Sequence, residues 1–114
     1  MSVARAYLTA ARSLDPEAFL SLFAVDAVLH DPAAPVPLKG KEAIGAFYRG
    51  LCAGFRSLEV KEDGILGQGK AEAFRFSCRG VTADGKAVSF DVMDVIETGP
   101  DGKIRTLRGY WTPP

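Results

Sequence analysis

The sequence has no excess of charge of either sign: fourteen Lys and Arg balance fourteen Asp and Glu over 114 residues. No run of basic residues makes a local field, so phosphate backbones and anionic lipid have nothing to be drawn to, and neither nucleic acid nor a membrane surface is an expected partner. Long apolar runs are missing as well, and nothing approaches the roughly 18 residues of a membrane span. Histidine occurs once, as His30, and cysteine twice, as Cys52 and Cys78, without a CxxC or a neighbouring histidine. That excludes zinc and redox motifs and makes any metal site improbable. The two cysteines read as small core residues with free thiols, a disulfide being the alternative. Residues 1–14 contain Arg5 and Arg12 but no acid, as transit peptides do. They lack an apolar signal segment and a cleavage site, and their spacing fits a folded helix, so a cytoplasmic protein is expected.

What is present is the make-up of a globular domain, with 47% hydrophobic and 25% charged residues, and the length predicts a single domain over residues 1–114. A chain of this size buries roughly two-thirds of its unfolded surface and can build a real core.

Ser2 is a plausible N-cap, and Val3, Tyr7, Ala10 or Ala11, and Leu14 recur at helical spacing, which predicts a helix over about 3–13. Asp15-Pro16 starts a second short helix whose buried face is Phe19, Leu20, Leu22 and Phe23. Residues 27–31 read as a short strand, and Pro32, Pro35 and Pro37 forbid regular structure up to Gly40. A third helix follows, with Ile44, Phe47, Tyr48, Leu51 and Phe55 on one stripe, ended by Gly54. Beyond it the period changes to two, which predicts strands over about 56–66, 71–81, 86–97 and 103–111, with hairpin turns at Ala83-Asp84-Gly85 and Gly99-Pro100-Asp101-Gly102. Helices followed by an antiparallel meander define an α+β domain.

A few residues break the pattern. Asp94 shares its strand face with Val88, Phe90, Val92 and Ile96, where an unpaired ionised carboxylate costs several kcal/mol and a neutral acid is the cheaper outcome. The alternative is a sheet edge where Asp94 meets Arg75, Arg105 or Arg108. Asp91, on the other parity, reads as a solvated surface residue. Asp31, before Pro32, either faces an apolar interior while ionised or makes an Asx-type turn. Tyr7 and Tyr48 lie in apolar helix stripes, and their hydroxyls need partners, which each could supply to the other or to a ligand. His30 points away from Asp31 and Leu29 by strand alternation, and an exposed or satisfied role fits it better than a catalytic one.

The stretch from Tyr7 to Tyr48, with "AYLTAARSLDPEAFLSLFAVDAVLHDP" and "KGKEAIGAFY", and the later "DVMDVIETGPDGK", resemble the nuclear transport factor 2-like superfamily. Within it they are similar to the bacterial ketosteroid isomerases and the SnoaL-like relatives of the polyketide cyclases. The similarity covers most of the chain and is weakest over 49–70. The resemblance implies a cone-shaped, curved antiparallel sheet wrapped around the N-terminal helices, a deep apolar pocket, and a homodimer through the outer sheet face. Met93 and Val95, apolar on the outward parity, agree with the last point. It also implies a cofactor-independent isomerase acting on a small hydrophobic carbonyl compound. Tyr7 falls at the oxyanion-hole tyrosine, Asp31 at the general base and Asp94 at the protonated aspartic acid. Tyr48 matches the supporting tyrosine and Trp111 an apolar lining position, with Phe23, Phe47, Phe90 and Val92 completing the substrate-binding wall. The sequence departs from the isomerase pattern at His30 and in the proline-rich loop through Pro37.

Two other readings fit the same residues. One is a non-catalytic ligand-binding or dimerisation domain, in which Tyr7 and Asp94 pair with each other or with Tyr48 and Asp31 points to solvent. The other is a SnoaL-like cyclase or a hydrolase. An epoxide hydrolase would want an Asp-Arg-Asp constellation in the pocket, and Arg108, sharing parity with Ile104 and Tyr110, or Arg75 would supply the arginine.

Overall fold

The computed structural model describes residues 2–31 and 36–111. Helix α1 (Val3–Ser13) starts at Ser2, whose hydroxyl accepts from the Arg5 N–H, and it buries Ala4, Tyr7, Leu8, Ala10 and Ala11. The Asp15 side chain caps α2 (Pro16–Leu20) by accepting from the Glu17 N–H, with Pro16 in the first turn. This helix is shorter than its apolar residues suggest. The Ser21 N–H closes back onto the last turn, so Phe23 opens strand β1 (Phe23–His30) rather than extending the helix face.

Asp31 lies just past the end of β1. Most of the proline segment falls outside the described residues, but its distal end is more regular than the prolines imply. Leu38–Lys39 form a two-residue strand, β2, antiparallel to Val28 and Leu29. Pro37 sits one residue before it, so no ladder donor is lost. Helix α3 (Lys41–Ala53) follows and buries Ile44, Gly45, Tyr48 and Cys52. The long strands β3 (Phe55–Gln68), β4 (Ala71–Thr82), β5 (Ala87–Thr98) and β6 (Ile104–Trp111) complete the fold. Gly85 (φ 91°) and Gly102 (φ 77°) occupy the left-handed region in the last two hairpins, where a side chain would be strained.

The six strands form one curved sheet in the order β2-β1-β6-β5-β4-β3. The sheet is mixed, not wholly antiparallel, because β1 runs parallel to β6, with Leu29 beside Leu107 and His30 beside Arg108. A parallel pair needs a long connection, and everything from β2 to β5 supplies it. Register shifts in β3 and near the start of β6 bend the strands.

The bend in β6 overturns one parity argument. Thr98 pairs with Ile104 but Glu97 with Thr106, so the chain slips by one residue at Arg105. Ile104, Leu107 and Gly109 are therefore buried while Arg105, Arg108 and Tyr110 are exposed. Arg108 does not share a face with Ile104.

The helices cover the inner face of the sheet, around a core that includes Leu8, Phe19, Phe23, Leu29, Ile44, Tyr48, Phe74, Ile96 and Leu107. Cys52 and Cys78 are buried free thiols and form no disulfide. Among the described residues no helix is long and apolar enough to cross a membrane.

Candidate active site

Between α1, α3 and the concave sheet face lies a cavity of about 360 Å³, within the range of small-molecule sites. Its wall is almost entirely apolar, and the exceptions are Tyr7, Asp31, Asp94, Trp111 and Thr82. The Thr82 hydroxyl is occupied within the hairpin turn, bonding Asp84 and accepting from the Lys86 N–H.

Asp94 is on β5 with the burial its alternation predicts: Asp94 and Ile96 are buried, Val88, Phe90 and Val92 half-buried, and Asp91 exposed. It is the only buried charged residue in the described core, at 3% exposure. No hydrogen bond joins it to any described residue. Burial pushes its carboxyl up to about 8, and the nearby Asp31 charge pushes the same way. The surface alternative fails on the arginines. Arg105 pairs with Asp26 at 3.3 Å, and Arg75 and Arg108 are exposed.

Tyr7 comes from the buried stripe of α1. Its ring meets Phe19 and Phe74 edge-on, with centroids 5.0 and 5.7 Å apart. Its hydroxyl lies 2.9 Å from that of Tyr48. Burial holds the Tyr7 phenol well above its ordinary range, with Tyr48 and Asp94 adding to the effect, so it keeps its proton at neutral pH. Asp31 lines the same cavity, and the Trp111 indole N–H donates to its Oδ1 at 2.9 Å.

Of the residues expected at the site, the structure brings Tyr7, Asp31, Asp94, Phe47, Phe90, Val92 and Trp111 onto one cavity. Two do not reach it. Tyr48 is fully buried behind Tyr7, stacked on Phe19 at 4.3 Å. Phe23 packs against the far side of Tyr48 at 5.7 Å, because it starts β1 instead of finishing α2. His30 is half-buried and no part of the wall.

Sequence reasoning missed Phe76 and Cys78, although both lie on the buried parity of β4 with Phe74, a period-two signal that was available. Burial pushes the Cys78 thiol up to about 12, so it stays a neutral wall residue. It also missed the Trp111–Asp31 bond, for which residues 80 apart give no local signal. No arginine lines the cavity among the described residues, which removes the Asp-Arg-Asp constellation of an epoxide hydrolase. Nor does any described group of three or more His, Cys, Asp or Glu have the placement to hold a metal.

An α+β fold whose helices close a cavity over a curved mixed sheet is the architecture of the ketosteroid isomerase-like proteins. A solved structure of a hypothetical protein with that fold from Catenulispora acidiphila, in complex with trimethylamine, superposes with a TM-score of 0.85 at 18% identity, covering 97% of this chain and 85% of that one. The chain belongs to the SnoaL-like domain family, whose model matches residues 4–107. It is also 33% identical over 114 residues to the steroid Δ-isomerase of Nocardioides simplex, covering 98% of this chain and 88% of that protein.

Proposed function

We propose that the protein is a cofactor-independent isomerase that shifts a double bond by moving a proton alpha to a carbonyl. One observation carries the reading: a cavity with apolar walls holds two aspartates in opposed surroundings, one buried without a hydrogen-bond partner among the described residues, the other bonded by an indole N–H. Two acids facing one cavity, one of them kept protonated by burial, are an acid/base assignment of the kind used by the ketosteroid isomerases this chain resembles.

In this mechanism ionised Asp31 takes the proton from the carbon alpha to the carbonyl, the electron pair moves onto the carbonyl oxygen, and Asp31 returns the proton at the far end of the new dienolate. Tyr7 and neutral Asp94 donate to the oxygen as its charge grows. The Tyr48 hydroxyl lies 2.9 Å from that of Tyr7 and does not line the cavity; in this mechanism it donates to the Tyr7 oxygen and leaves the Tyr7 proton for the substrate. Each oxyanion donor in such a site is worth about 3 kcal/mol. Trp111 aims the Asp31 carboxylate, and the hydrocarbon wall keeps water from the enolate.

The non-catalytic alternative receives support from one feature, the pairing of Tyr7 with Tyr48. It is disfavoured by Asp31, which lines the cavity instead of pointing away. The outer sheet face supports a homodimer: Met93 and Tyr110, cross-strand neighbours, are 46% and 55% exposed.

The experiment is steady-state turnover of a β,γ-unsaturated ketosteroid by wild type and Asp31→Asn. The expected result is measurable isomerisation in the wild type and a loss of roughly 10²- to 10⁴-fold in the variant. An equal rate in both proteins would remove Asp31 as the base.

A further inference from the structure

Glu72, near the start of β4, reaches across to the beginning of α1. Its Oε2 accepts from the Ser2 hydroxyl at 2.6 Å, and its Oε1 accepts from the Val3 and Ala4 N–H groups at 2.9 and 3.3 Å. The first turn of α1 contains no acid of its own. A carboxylate from 70 residues away therefore serves the open N–H groups and the positive end of that helix.

We propose that Glu72 is a positioning residue for the reaction: by pinning the start of α1 to β4 it sets where the Tyr7 hydroxyl stands relative to Asp94. The proposal rests on the isomerase reading of the cavity. Three geometric facts carry it. Tyr7 is four residues beyond Val3, roughly 6 Å along a helix. Phe74 is two residues beyond Glu72, about 6.7 Å along a strand. The two advances match, and at their far ends the Tyr7 and Phe74 rings touch, with centroids 5.7 Å apart. Phe74 is in turn the cross-strand partner of Asp94. One strand thus holds the helix at Glu72 and, two residues later, meets Tyr7 and pairs with Asp94 through Phe74.

The rest of the α1 interface is apolar packing of Ala4, Tyr7, Leu8, Ala10 and Ala11, and apolar contact is non-directional. Among the described residues its other side-chain bonds to the sheet are the exposed Arg5–Glu62 pair at 3.4 Å and the Arg12 bond to the Val60 carbonyl at 3.1 Å. Long exposed arginines hold position weakly.

The test compares wild type, Glu72→Ala and Glu72→Gln in ketosteroid turnover, with the hydroxyl-proton NMR signal of the Tyr7–Tyr48 pair recorded without ligand. At temperatures where all are folded, Glu72→Ala is expected to lose kcat by roughly 10- to 100-fold with KM nearly unchanged, and the hydroxyl signal is expected to move. Glu72→Gln, which keeps an acceptor for the two N–H groups but not the charge, is expected to fall between. An unmoved signal, or a rate loss that only follows the folded fraction, overturns the proposal. If Glu72→Ala does not fold, Glu72→Gln decides, and an unchanged kcat with an unmoved signal overturns it. A wild type inactive on the steroid defeats the isomerase reading alone, since the signal reports the anchor without turnover.

Discussion

Asp94 is the buried acid of the cavity, and its pH dependence has a definite sign. Its carboxyl rises from 3.8 to about 8 in the folded protein, so between those values the folded state binds a proton that the unfolded chain releases. Stability from this group is therefore greatest at the acid side of the window and declines as pH rises through it. Denaturant midpoints measured from pH 4 to 9 should show that decline in the wild type and lose it in Asp94→Asn. Turnover should fall above about pH 8 as the donor ionises. This residue was legible in the sequence because alternation alone puts it among Val92, Ile96 and Phe90. The partner of Asp31 was not, because Trp111 reaches it through a parallel β1–β6 pairing that no local pattern encodes.

At the scale of elements, the helices and long strands follow from periodicity, and the departures come from places where tertiary structure overrides it. One slipped residue in β6 reverses the parity of everything after Arg105 and sends Arg108 outward. An early stop in α2 hands Phe23 to β1. The junction of α1, α2 and α3 is an aromatic stack, with Phe19 lying 5.0 Å from Tyr7 and 4.3 Å from Tyr48. Truncating Phe19 to Ala should cost about 3–5 kcal/mol in chemical unfolding, and it should depress turnover further by freeing the tyrosine pair. Tyr48→Phe should be milder, about 1 kcal/mol in stability. Because it removes the hydroxyl bonded to Tyr7, it should lower kcat more than it raises KM.

Over the whole molecule, the concave side of the sheet closes the cavity and the convex side exposes Met93 and Tyr110. Analytical ultracentrifugation should find a dimer that Tyr110→Glu converts to monomer, leaving the fold intact by circular dichroism. The balanced charge, fourteen against fourteen, gives no reason for that association to depend strongly on salt. The proposed chemistry needs opposed protonation of two aspartates facing one cavity. Carbon-13 NMR of the aspartate carboxyls, assigned with Asp31→Asn and Asp94→Asn, reads both directly. At pH 7 the Asp94 resonance should be that of a carboxylic acid and the Asp31 resonance that of a carboxylate. An Asp94 signal already ionised at pH 5 would contradict it.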